Sequence, residues 1–169
     1  MIAVLASLVV GAAGAAPRSG PQPGATVASF DVVDVSGPHK GERLCYVCSY
    51  GYSPVVVGFV RGEPAQAAEL VARVQALANQ HRAAGLKAFV VFIGGRELRA
   101  DIARLAAERR IQIPLVYLPN GDPPRQFRID PRATNTFVTY VRNRVTANQV
   151  DVTAAQFEPV ANAARRLLD

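Results

Sequence analysis

Residues 55–60, VVVGFV, contain no polar position. A strand with one wet face alternates apolar and polar residues. A run without alternation belongs to a strand covered on both faces, as in the middle of a layered α/β sheet. Residues 86–93, LKAFVVFI, form a second run of this kind. Between the two, Leu70, Val71, Val74, Leu77 and Ala78 recur at helical spacing. Pro64, with Glu63 before it, suits the first turn of that helix, and Gly85 supplies a stop. The unit is strand–helix–strand, and it predicts a right-handed parallel crossover.

Downstream, Gly94-Gly95 forms a turn, and Leu98, Ile102, Leu105 and Ala106 mark a second helix. Residues 115–118 predict a third, short strand after Pro114, and 120–131 a loop with Phe127 and Ile129 turned inward. Strand-like residues 136–141 and 145–147 flank Arg142-Asn143-Arg144, a hairpin turn in which Asn tolerates positive φ. Thr153 and Gln156 make a capping box before a last helix with Phe157, Val160, Ala161, Ala164 and Leu168 on one face.

Upstream, residues 30–35 predict the first strand, ended by Ser36-Gly37-Pro38 and a turn through His39-Lys40-Gly41. Residues 44–48 are β-prone, and a loop with Gly51 and Pro54 follows. Residues 16–28 are rich in Pro and Gly without a period, and predict a flexible linker. Residues 1–16 are apolar almost throughout, short of the roughly 20 residues a spanning helix needs. They match the apolar core of a secretory leader, with Ala13-Gly14-Ala15 as cleavage site before Ala16. The positive start of such leaders is missing, since no Lys or Arg precedes Arg18. A short buried segment or an uncleaved anchor is the alternative. The expected division is a signal peptide over 1–15, a linker over 16–28 and one domain over 29–169. The expected location is exported, periplasmic or extracellular, with no stable membrane anchor once the leader is cut.

Composition adds two limits. Half of the 169 residues are apolar and 19% are charged, which fits a globular chain with a real core. The formal charge of +6 is spread over helices and strand ends. No basic block is interleaved with aromatics, so a nucleic-acid partner is not expected.

Candidate chemistry centres on Cys45 and Cys48, the only cysteines. C-x-x-C beside a β/α pattern points to thiol redox chemistry. Bridging needs Cα atoms about 4.4–6.8 Å apart, whereas positions three apart in an extended strand lie roughly 10 Å apart. The pair therefore closes only if Tyr46-Val47 bends, although both residues favour a strand. An exchanging pair, a static disulfide and inert thiols all stay open. Lys40 and Arg43 are the charges at hand to lower a thiol pKa.

The remaining chemistry is thin. A zinc site from Cys45, Cys48 and His39 falls one ligand short of a closed site. Haem attachment needs His where Ser49 stands. No G-x-S-x-G occurs. Gly94-Gly95 before a helix suits an anion or simply a turn. Tyr46, Tyr50 and Tyr52 either line a binding surface or pack on the sheet edge. No cofactor is expected.

The element order resembles the thioredoxin fold, particularly its peroxiredoxin-like and exported redoxin branch, over roughly residues 29–169. Lys40-Gly41 is similar to the turn that precedes the central strand in redoxin domains, and residues 134–138 (TNTFV) to the entry of the hairpin. The resemblance implies a three-layer α/β/α fold with a central mixed sheet, and thiol–disulfide exchange with a protein thiol or disulfide partner. It also exposes two departures. The family's reactive cysteine follows the central strand, where this chain has Arg61-Gly62-Glu63-Pro64. The cis-proline before the hairpin is replaced by Thr134. Either exchange has passed to Cys45 and Cys48, or the domain is a non-catalytic binding or scaffolding module.

Overall fold

The computed structural model describes residues 17–169, so the expected signal peptide over 1–15 lies outside the described residues. Among the described residues, seven strands form one mixed sheet, in the order β2-β1-β5-β4-β3-β6-β7. They are β1 (Val32–Asp34), β2 (Arg43–Leu44), β3 (Val55–Val60), β4 (Lys87–Phe92), β5 (Leu115–Tyr117), β6 (Asn135–Val141) and β7 (Arg144–Val150). The helices are α1 (Tyr46–Tyr50), α2 (Ala68–Gln80), α3 (Arg99–Glu108) and α4 (Glu158–Arg165).

The unalternating run at 55–60 is the central strand, and all six of its residues are buried. β3 pairs in parallel with β4, Val57 opposite Phe89, and antiparallel with β6, Val57 opposite Val138. β4 pairs in parallel with β5, and β1 closes on β5 in antiparallel sense. Alternate β3 residues feed two apolar clusters. Val56 and Val60 face one with Val71 and Val74 of α2, Ile102 of α3 and Val160 of α4. Val55, Val57 and Phe59 face the other with Tyr46, Val47, Phe89 and Phe127. Gly58 lies where a Cβ would meet Phe137 Cε1 at 2.5 Å, so the lack of a side chain lets that ring lie on the strand.

The two faces are covered unequally. Three helices lie on one, and the short α1, the turn Arg125–Phe127 and the N-terminal stretch cover the other. That stretch is not a free linker from residue 17 onward. Gly24 N donates to Val145 O at 2.8 Å, Val27 N to Asn143 O at 2.8 Å, and Val145 N to Ala25 O at 2.9 Å. Ser19, 1% exposed, shares a 2.6 Å bond with the Thr136 hydroxyl and accepts from Asp130 N at 2.9 Å. Backbone groups need partners whatever the side chains are. Pro/Gly composition therefore gave no sign of this strap along the hairpin.

Other boundaries move by a few residues. α2 ends at Gln80, and Gly85, at φ +84°, closes a further turn. The hairpin turn contains two residues, Arg142 and Asn143, both at positive φ, as a two-residue turn requires. The Thr153 hydroxyl accepts from Gln156 N at 3.2 Å, one turn ahead of α4.

Candidate functional site

The strand expected over 44–48 ends at Leu44, which pairs with Val32. The chain then turns into α1. Cys45 is extended, at φ −113° and ψ 104°, and its carbonyl accepts from Ser49 N at 3.0 Å. Its sulfur accepts from Cys48 N at 3.1 Å, in the manner of an N-cap. Gly51, at φ +55°, ends the helix with its N–H on Val47 O at 3.3 Å. One helical turn brings the two Cα atoms to 5.3 Å, and Cys45 and Cys48 are joined in a disulfide.

A buried polar anchor holds α1 on the sheet. The Tyr46 hydroxyl donates to Asp34 Oδ2 at 2.7 Å. The same carboxylate accepts from Gly37 N at 2.7 Å and His39 N at 2.9 Å, and is 1% exposed. Asp34 thus ties the end of β1 to its following turn and to the motif helix. Burial, then the Asp34 hydrogen bond and charge, push the Tyr46 phenol far above its ordinary value. The Tyr46 and Tyr50 rings both pack on Phe89, at centroid distances of 5.4 and 6.0 Å. Burial raises the Tyr50 phenol as well, with the Asp34 charge adding to it. Of the three tyrosines, Tyr46 is core, Tyr50 is half-buried and only Tyr52 is exposed, at 77%.

The cysteines differ in exposure. Cys45 is half-buried and packs against the cluster containing Phe59 and Phe89, whereas Cys48 is exposed. The charges at hand in sequence fare differently. Arg43 is held by Asp31, at 2.9 Å and 3.0 Å, Lys40 is exposed, and the Cys48 N–H is the donor on the Cys45 sulfur. His39 sits 3.5 Å from Glu42. Among the described residues, no three His, Cys, Asp or Glu side chains converge on a point.

The motif lies away from the position that the redoxin resemblance marks. Tyr50 borders a cleft with Lys87, the first residue of β4, at the end where the parallel strands begin. Arg61-Gly62-Glu63-Pro64 leaves β3 at the opposite end. There Arg61 N donates to Thr134 O at 2.9 Å, so the two departures from the family pattern are neighbours. A shallow cavity of about 320 Å³ remains between them, bordered by Arg61, Glu63, Gln66, Thr134 and Asn135, with no thiol on its wall. The Gly94-Gly95 turn holds its own carboxylate: Gly95 N donates to Glu97 Oε1 at 2.6 Å, and backbone donation holds that carboxyl below its usual range. No helix among the described residues is long and apolar enough to cross a membrane.

No family model and no curated protein matches this chain. Solved structures do. A putative thiol:disulfide interchange protein DsbE from Chlorobium tepidum superposes with a TM-score of 0.72 at 15% identity, over 88% of this chain and 99% of its own. A putative protein disulfide isomerase from Bacteroides thetaiotaomicron gives 0.72 at 11% identity, over 90% and 94%. The peroxidoxin BcpB from Mycobacterium tuberculosis gives 0.67 at 18% identity, over 86% and 97%. The chain has a thioredoxin-like α/β fold.

Proposed function

We propose that this protein exchanges thiols and disulfides with a protein partner through Cys45 and Cys48, outside the cytoplasm. The observation that carries the reading is the Cys45–Cys48 disulfide with Cys48 exposed at the surface. Exchange proceeds by thiolate attack on a disulfide sulfur, so a reachable sulfur is the first requirement. An adjacent partner thiol is the second, and Cys45, its Cα 5.3 Å from that of Cys48, supplies it. The thioredoxin-like solved structures, several of them described as thiol–disulfide proteins, support the same class of chemistry.

Export is part of the reading. It rests on the apolar leader and on the disulfide, since paired cysteines persist outside the reducing cytosol. Protein recovered from the host's envelope should begin near Ala16. An intact Met1 on cytoplasmic protein would remove this part.

A second reading is favoured by one feature, the thiol-free stretch Arg61–Pro64 after the central strand. On it the domain binds or scaffolds, and the disulfide is structural. Insulin reduction by dithiothreitol separates the two readings. Catalysis by wild type that is lost in both Cys45→Ser and Cys48→Ser supports exchange. A wild type no faster than the uncatalysed reaction leaves the scaffold.

A further inference from the structure

We infer that the two cysteines have fixed and unequal roles. Cys48 carries the covalent link to the partner, and Cys45 is the group that leaves and returns. The inference rests on the exchange reading above and adds an order to it.

Three observations carry it. Cys48 is exposed and Cys45 is half-buried against the apolar cluster under α1. An incoming thiolate reaches the exposed sulfur first, because displacement needs access to the sulfur attacked. Next, the Cys48 N–H donates to Cys45 Sγ at 3.1 Å. A hydrogen bond to the charged form favours it, so this donor stabilises negative charge on Cys45 when the disulfide opens. A stabilised thiolate is the better leaving group. Last, Arg43, the nearest cation in sequence ahead of the motif, is held by Asp31 at 2.9 Å. The donor on Cys45 Sγ is a backbone N–H, which does not titrate.

The step balances as follows. A partner thiolate attacks Cys48 Sγ. The new bond joins partner and Cys48, the Cys45–Cys48 bond breaks, and its electron pair leaves on Cys45 as a thiolate. A second thiol of the partner, once deprotonated, attacks the partner sulfur of the mixed disulfide and expels Cys48 as a thiolate. The partner loses two electrons as its disulfide forms, and the Cys45–Cys48 pair gains them as a dithiol. In the reverse direction Cys48 attacks a partner disulfide, and Cys45 displaces the reduced partner.

The test uses reduced glutathione as the probe on oxidised wild-type protein. The reaction is stopped early with acid, free thiols are blocked, and tandem mass spectrometry locates the adduct. Glutathione should sit on Cys48 in at least about tenfold excess over Cys45. Adduct mainly on Cys45, or equal on both, overturns the assigned order while leaving exchange intact. No adduct on either, with no glutathione disulfide formed and no protein thiols released, overturns exchange itself.

Discussion

At the scale of single residues, the site depends on Asp34 more than on any charge near the cysteines. Its buried carboxylate accepts three hydrogen bonds, one of them from Tyr46 in the middle of the C-x-x-C motif. Tyr46→Phe keeps the ring on Phe89 and removes only the hydroxyl. Two donors to Asp34 remain, so the loss should be that of one bond to a charged acceptor, about 1.5–3 kcal/mol. Urea denaturation of the oxidised protein measures it, and an unchanged midpoint would contradict the anchoring role. This contact was not legible in the sequence. Asp34 sits in an apolar run and Tyr46 lies 12 positions later, and spacing alone does not say which polar atom meets which. The tyrosines around the motif were visible as a group, but their division into core and surface follows from the path of α1 across Phe89.

Among the elements, two departures from expectation have separate causes. Tyr46 and Val47 favour strand, and five residues are too few for a helical period to appear. The cap on Cys45, the glycine at 51 and the cross-link decide the local conformation. The strap over 17–28 was equally hidden, because its bonds to the hairpin are mostly made by the backbone. Its one buried hydroxyl offers a probe. Ser19→Ala should strand the Thr136 hydroxyl and the Asp130 N–H, at a cost of about 1–3 kcal/mol. Hydrogen exchange at Val27 and Val145 should rise with it. Unaltered exchange would mean that the strap is held without Ser19. The helices α2 and α3 were legible from their helical period, and β3 and β4 from short unbroken apolar runs on either side of the first of them.

At the scale of the molecule, three tyrosines link the fold to pH. Burial raises Tyr46, Tyr50 and Tyr140 well above their ordinary value; Asp34 adds to the first two and Tyr50 to the third. An unfolded chain releases those protons from about pH 10 upward, while the folded chain keeps them. The unfolded state then binds fewer protons, so stability falls as pH rises. It should be intact below pH 10 and decline above it, with phenolate absorbance appearing together with the loss of far-ultraviolet ellipticity. Phenolate from all three in a protein still folded would contradict their burial. The layered α/β class could be read because it depends on periodicity summed over the whole chain. The site could be read only as a pair of cysteines, since its place on the sheet depends on long-range pairing. The central claim is that this pair is exchangeable rather than a fixed staple, and its redox midpoint tests that most directly. Equilibrated with glutathione buffers, Cys45–Cys48 should titrate within the span of thioredoxin-type proteins, about −270 to −120 mV, with ellipticity unchanged on reduction. A midpoint below about −300 mV, or unfolding as the bond opens, would mark the disulfide as structural and contradict the account.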